Sequence, residues 1–350
     1  MEEKLLVTST PHIRSNDTTR SIMLSVLIAL APASIYSVVI FGFRAMMIII
    51  IGTLSSVGAE ALYNVMIKHK QTVSDLSAAV SGLLLSLTLP PTVPLWLPVI
   101  GALFAMIIVK GLFGGLGQNF MNPALAARCF LFISWPQHMA VWLKPFEYST
   151  VPLFSNVDTQ AIITSVTPLK ALKDMTFNYS GLADLFWGNI GGCIGETSAV
   201  LLLLGGLYLL IRKVINWRIP VFYIGVMAVL CYLFPTSGLP VQYMLAQLLS
   251  GGLLIGAIFM ATDYATAPVT RMGQIIYAIG CALLTFVMRR FSGYPEGVSF
   301  AILIMNAFTW LIDKKTKPRR FGKGGAFYVK RAKEEHVAEP SAAPVVDAEE

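Results

Sequence analysis

The chain has 350 residues, of which 55% are hydrophobic and only 13% charged, with mean hydropathy +0.68 and a formal net charge of +7. A water-soluble domain carries about 25% charged residues, so one soluble core is excluded and the chain is read as an all-α polytopic membrane protein. Its basic residues are scattered among short connections rather than massed on one polar face, which argues against a nucleic-acid partner.

Residues 1–20, MEEKLLVTSTPHIRSNDTTR, hold no short apolar run followed by a cleavage site, so no signal peptide is expected there. They are read as a cytoplasmic N-terminal segment. A bilayer core needs about 20 mostly apolar residues per helix. That ruler gives ten spans, at 21–43, 45–67, 76–90, 93–111, 121–136, 196–212, 218–235, 242–262, 272–289 and 296–312. The third and fifth are short, so tilting, a break or re-entry is expected in them. The domain reading is a first membrane half at 21–136, an extracytoplasmic loop at 137–195, a second membrane half at 196–313 and a basic, then acidic, cytoplasmic tail at 314–350. The last stretch, AKEEHVAEPSAAPVVDAEE at 332–350, is too rich in Ala, Pro and Glu to form a core and reads as disordered.

Cytoplasmic loops carry the excess of Lys and Arg. With the N-terminus inside, the outer segments hold Arg44, Lys144, Lys170, Lys173, Arg289 and Arg290. The rest of the 26 Lys and Arg fall on or near the inner side, among them Lys68, Arg212, Lys213, Arg218, Arg271 and the cluster Lys314, Lys315, Lys317, Arg319, Arg320. Both termini are then cytoplasmic and the long loop is outside.

Five spans on each side of the loop allow two inverted five-helix repeats. The stretches GGLGQNFMNPALAA (114–127) and GGLLIGAIFMATDYATAP (251–268) share glycines, a Phe-Met pair, a polar residue and a proline. Both fall at the inner face, so they fit a paired inner-face site better than corresponding positions of a repeat. The four cysteines, Cys129, Cys193, Cys231 and Cys281, form no CxxC. By spacing they build no iron–sulfur or zinc site and read as small apolar residues in helices, with Cys129 and Cys193 near opposite predicted ends.

Glycines at 114–117 let a backbone approach a flat ligand closely. The amides of Asn119 and Asn122 can each donate and accept hydrogen bonds, which suits the edge of a flavin ring. The same residues also read as a helix start, with Asn122 as N-cap and Pro123 at the first helical position; both readings stay open. Asp263 stands at the end of the eighth span, where an ionisable residue is a functional candidate and a loop or cap role is the alternative. Glu60 lies eight residues before Lys68, about 12 Å deeper at helical rise. A carboxylate there needs a partner, a proton or a cation, so Glu60 and Asp263 are the ion-coupling candidates. Glu196 sits at the outer start of span six, where a helix N-terminus favours a carboxylate. Arg289 and Arg290 break the positive-inside pattern and suit an anion such as phosphate, with lipid headgroups or Glu296 as alternatives. Pro168 biases Thr167 to an extended backbone, which presents its hydroxyl; the residue is either modified or simply part of an outer turn.

The segments GGLGQNFMNPALAARCF, SVTPL, GNIGGCIGETSA, FMATDYATAP and FSGYPEGVSFAILIMN, in this order and topology, closely resemble the D subunits of Rnf ion-translocating electron transport complexes. The paralogous B subunits of sodium-translocating NADH:quinone reductases are similar. The resemblance covers roughly residues 5–325. It implies a bacterial inner-membrane subunit, inactive alone, that passes electrons between ferredoxin and NAD across the membrane, coupled to Na⁺ or H⁺ movement. It implies FMN joined through its phosphate to a threonine in a motif like Ser-Gly-Ala-Thr, often followed by Pro-Leu. The matching run here is Thr164, Ser165, Val166, Thr167, Pro168, Leu169, which makes Thr167 the implied acceptor. Ser165 and Val166 replace the family's Gly and Ala. Ala161 stands where flavin-transferase recognition wants Asp, with Asp158 three residues away, and Thr164 and Ser165 are weaker alternatives. The transferase acts on the outer side, where the distribution of basic residues independently puts Thr167.

The resemblance further implies a second, non-covalent flavin such as riboflavin at Asn119, Asn122 and Asp263. The implied partners are other Rnf subunits carrying iron–sulfur centres and flavins, the flavin transferase and membrane lipid. The rivals are the quinone-reductase B subunit, which is expected to have a longer N-terminal extension, and a solute transporter or channel without redox chemistry.

Overall fold

The computed structural model describes residues 17–68, 71–146, 167–196, 198–292 and 296–317. The two chain ends and the run 147–166, which holds Asp158, Ala161, Thr164, Ser165 and Val166, lie outside the described residues.

α1 (Thr19–Phe41) starts where the Thr18 hydroxyl accepts from the Ser21 N–H, a side-chain cap for an otherwise orphan donor. Gly42, at φ 77°, turns the chain straight into α2 (Phe43–Met66); a side chain would resist that left-handed corner. α3 (Ser77–Leu87) is short, and residues 88–94, which follow it, are buried although not regularly helical. α4 (Trp96–Leu103) continues as a π-helix over Phe104–Gly111. α5 (Pro123–Ser134) is capped by Asn122 and followed by the single turn α6 (Pro136–Met139). After the undescribed run come α7 (Pro168–Lys173) and α8 (Leu182–Trp187). The second half contains α9 (Ala199–Ile211), α10 (Arg218–Leu233), α11 (Pro240–Leu249), α12 (Leu253–Ile255) with a π extension at Gly256–Met260, α13 (Arg271–Phe291) and α14 (Val298–Thr316).

Each of the ten apolar runs therefore meets a helix. By length and composition three of them, α1, α2 and α13, can cross a membrane unaided. The eighth run is not the continuous span expected at 242–262. α11 and α12 are bent by 65° at Ser250–Gly252, where Gly251 adopts φ 69°. The third run ends in the proline-bearing stretch TLPPTVP, which leads from α3 to α4. The segment before α9 packs between the end of α3 and α12: a Cβ on Gly195 would stand 2.8 Å from Leu87 Cβ and 3.0 Å from Ile255 Cδ1, and the Ile194 N–H donates to the Leu89 carbonyl at 3.0 Å. Glycine at 195 lets this segment fit closely against both.

Hydrogen bonds define two ends of the bundle. At one end Asn64 bonds Thr72, Tyr264 bonds the Val214 carbonyl, Arg218 bonds Gln274, and Asp313 accepts from the Val269 N–H. At the other, Thr92 bonds the Val141 carbonyl, the Phe146 N–H bonds the Ile40 carbonyl, Tyr179 bonds Ser237, and Arg290 bonds the Phe234 carbonyl. Between the ends, Ile35, Leu54, Ile133, Ile211 and Trp310 are exposed on helix faces, and apolar exposure spread over so many helices suits lipid contact.

Candidate functional site

At the end that holds the 261–270 loop, Asn119, Asn122 and Asp263 line one cavity together with Ser77, Lys110 and Tyr264. The sequence pairing of 114–124 with 260–268 is thus real in space. The cavity volume is about 70 Å³, room for roughly five waters and far less than a flavin ring. Asn122 is also fully engaged: its Oδ1 caps α5 at the Ala124 and Leu125 N–H groups, and its Nδ2 donates to the Met260 carbonyl at 3.2 Å. The cap reading is what the geometry delivers, and the cap simultaneously ties α5 to the π extension of α12. Asn119 donates to the Met121 carbonyl at 3.1 Å, while its buried Oδ1 is without a partner. Asp263 accepts from Thr266 at 3.2 Å. Burial pushes its carboxyl up from the ordinary value, against the backbone N–H groups of Ala265 and Tyr264, Thr266 and Lys110, which pull it down.

Glu60 has a partner that the sequence pattern does not single out. Lys110, inside the π-helix and buried, donates to Glu60 Oε1 at 2.7 Å and to Ser77 Oγ at 2.6 Å. The Thr72 hydroxyl also donates to Glu60 Oε1, at 2.8 Å. The other carboxylate oxygen, Oε2, is buried and unpartnered. A second cavity of about 390 Å³ opens against this pair, lined by Glu60, Asn64, Thr72 and the glycines 111, 114 and 115. That is room for many waters. The signal that could expose Lys110 is its place within the predicted span 93–111, where a charge at depth calls for a partner.

At the opposite end Thr167 is buried and N-caps α7, its Oγ1 accepting from the Lys170 N–H at 3.3 Å. Its ψ of 147° is the extended conformation expected before a proline. α7 packs on the bend between α11 and α12: a Cβ on Gly251 would meet the Leu169 side chain and stand 3.2 Å from Arg289 Nη2. Arg289 is buried and donates to the Gln247 carbonyl, to Gln247 Oε1 at 3.0 Å and to the Ser250 carbonyl at 3.1 Å. Its Nε is buried without a partner. Arg290 instead points to the Phe234 carbonyl. Glu296, one of the alternative partners expected for these two arginines, is paired with Arg128.

Across the same bend lies a second charged group. Arg128, from the middle of α5, makes an ion pair with Glu296 and donates to Cys193 Sγ at 3.4 Å and Ser299 Oγ at 3.2 Å. Glu196 is in the turn Ile194–Glu196, and the cap of α9 is Ser198, not Glu196. The Cys193 N–H donates to Glu196 Oε2 at 3.3 Å. Cys193, expected near the opposite end from Cys129, is buried beside Arg128, the residue next to Cys129. Arg128 is absent from the residues singled out by sequence, although a guanidinium inside the predicted span 121–136 is the same kind of signal as Lys110.

The model of the NQR2, RnfD, RnfE family matches residues 6–322. The D subunit of the Na⁺-translocating ferredoxin:NAD⁺ oxidoreductase complex of Acetobacterium woodii is 48% identical, over 92% of this chain and 96% of that protein. The D subunit of the proton-translocating ferredoxin:NAD⁺ oxidoreductase complex of Clostridium ljungdahlii is 43% identical, over 90% and 96%. The D subunit of the ion-translocating oxidoreductase complex of Halorhodospira halophila is 36% identical, over 89% and 94%.

Proposed function

The chain belongs to the NQR2, RnfD, RnfE family, and from that premise we propose that it is the D subunit of an Rnf-type ferredoxin:NAD⁺ oxidoreductase complex in a bacterial inner membrane. It carries FMN in phosphoester linkage to Thr167 and passes electrons across the membrane in a step coupled to Na⁺ or H⁺ translocation. Relatives named as D subunits over nine-tenths of this chain support the complex, and favour it over a quinone-reductase B subunit or a non-redox transporter. Both termini are cytoplasmic in this reading, iron–sulfur centres come from partner subunits, and a flavin transferase loads the cofactor from outside.

The observation that carries the flavin reading is the environment of Thr167. Its hydroxyl lies at the end of the bundle away from the excess of inner lysines and arginines. Beside its helix stands Arg289, a buried guanidinium with an unpartnered Nε and no carboxylate in ion-pair contact among the described residues. A phosphodiester is the kind of anion such a donor takes. Bound FMN supplies one- and two-electron chemistry. Thr167 fixes the phosphate, the Gly251 bend brings Leu169 and Arg289 together, and Arg289 balances the phosphate charge. The inner cavity does not accommodate a flavin ring as it stands, so riboflavin at Asn119, Asn122 and Asp263 has no part in this reading. The hydrated pair Glu60–Lys110 and the nearby Asp263 are the proposed entry for the coupling ion.

The test is in-gel fluorescence of the denatured chain followed by peptide mass spectrometry. An FMN-phosphoester mass on the peptide containing Thr167, lost completely in Thr167→Ala, is expected. A dark band from a cell that contains the flavin transferase, or full covalent flavin in Thr167→Ala, overturns the assignment.

A further inference from the structure

Arg128, Cys193, Glu196 and Glu296 have no part in the flavin anchor or in the inner pair, yet they bring two carboxylates, a thiol and a guanidinium together. One sulfur or carboxylate-oxygen atom from each of Cys193, Glu196 and Glu296 lies within 4.8 Å of the others. The single guanidinium in direct contact is committed to Glu296, Cys193 and Ser299. The other arginine packed on this region, Arg289 of α13, donates to Gln247 and Ser250. Among the described residues Glu196 has no ion pair. Its carboxylate is hydrogen-bonded by both the backbone N–H, to Oε2, and the thiol of Cys193, and its Oε1 is buried with no partner. That oxygen is aimed at the gap beside Gly252: a Cβ there would stand 3.3 Å from Glu196 Oε1 and 3.7 Å from Arg128 Nη1. Glu196 is itself buried, and the cavity against Arg128 and Glu296 is only about 20 Å³, so a second bare carboxylate here is costly.

We propose that Glu196 and Glu296 share one guanidinium and one exchangeable proton, the proton residing on whichever carboxyl Arg128 leaves. In the arrangement seen, Arg128 holds Glu296 and Glu196 carries the proton on Oε1. In the other, Arg128 turns across the Gly252 gap to Glu196 Oε1, the O–H bond there breaks, and an O–H bond forms on Glu296, whose side chain is the more exposed at 17%. One proton moves, no electron does, and the charge of the group is unchanged. The group lies across the Gly251–Gly252 bend from the Thr167 segment. Its use as the proton that answers an electron on the flavin rests on the function proposed above, while the sharing itself rests only on the contacts of these four residues.

Infrared spectroscopy of the intact complex tests both parts. At neutral pH a protonated-carboxyl C=O band that shifts in D₂O is expected. It disappears in Glu196→Gln, an isosteric neutral change that leaves Arg128 its partners. It also disappears in Glu296→Gln, because Arg128 is then free to ionise Glu196. A wild type without such a band, a band that survives Glu196→Gln, or a band that survives Glu296→Gln overturns the sharing. Loss of the wild-type band in NaCl but not in KCl also overturns it, in favour of a bound sodium ion. In reduced-minus-oxidised spectra the Glu196 band is expected to change in the wild type and to stay constant in Thr167→Ala. A static band that Glu196→Gln removes, with no redox response in the wild type, keeps the sharing and overturns its link to the flavin.

Discussion

Two ion pairs occur among the described residues, one toward each end of the bundle; in the orientation proposed above Lys110–Glu60, buried on both sides, is the inner pair and Arg128–Glu296, its carboxylate partly exposed, the outer. The inner pair, Lys110 with Glu60, sets one base against one acid, surrounds them with the hydroxyls of Ser77 and Thr72, and opens onto about 390 Å³ of cavity. The outer pair, Arg128 with Glu296, adds a second acid and a thiol and leaves about 20 Å³. The cavity beside the inner pair has room for water, which lowers the cost of separating the two charges and suits the ion entry proposed for it. The outer pair has far less room beside it, which suits the proton exchange proposed there. The proposed ion entry and the proposed proton-exchange group differ in this physical way.

The sharpest way to break the comparison is to remove each base in turn. Arg128→Met leaves two carboxylates in a dry site and is expected to cost about 3–5 kcal/mol of unfolding free energy, as for other buried pairs that lose one partner. Lys110→Met leaves Glu60 with the Thr72 hydroxyl and water, and is expected to cost about 1–3 kcal/mol, the penalty for an under-satisfied polar group. Reversible unfolding in mixed micelles measures both, and equal losses would erase the wet–dry distinction. Asn122→Ala removes the cap of α5 and the tie to Met260; about 1 kcal/mol is expected for the cap, read from the same unfolding curves. The smallest effect is a pH dependence at Asp263. Its folded carboxyl sits above the ordinary value of 3.8, so the folded state binds the proton more tightly than the unfolded chain. That contribution is fully present below the ordinary value and fades as pH rises through the folded one. Relative to Asp263→Asn, the wild type is expected to gain stability on acidification, and a flat difference across that range would remove the burial argument.

Much of this is legible in the chain. Ten apolar runs mark ten helical positions because the need to satisfy every backbone group in lipid leaves few alternatives to helices. The pairing of the Asn122 and Asp263 segments is also legible, from two similar Gly-rich stretches. The bend at Ser250–Gly252 is not, because LLSGGLLIGAIFM is apolar on both sides of the glycines and its composition cannot report a 65° change of direction. Lys110 and Arg128 escape notice because each sits in an apolar run where the hydropathy sum hides a single charge. Their carboxylate partners stand 50 and 168 residues away, a separation that local pattern does not reach. Thr167 becomes a candidate only by resemblance, since a Thr-Pro turn is ordinary in any loop.

The proline-bearing stretch between α3 and α4 bears on how the chain is made. Pro90, Pro91 and Pro94 bring no N–H groups into it, which reduces the number of donors that must be satisfied away from water. Its carbonyls still need partners. The Val93 carbonyl accepts from Arg44 Nη2 at 3.1 Å, within the first half, but the Leu89 carbonyl accepts from the Ile194 N–H at 3.0 Å, from beyond the long loop. A growing chain that has inserted only its first five spans therefore lacks a donor that its own third span requires. The second half thus completes the backbone of the first: the Leu89 carbonyl acquires this partner only once the segment around Ile194 has been synthesised and has docked onto it.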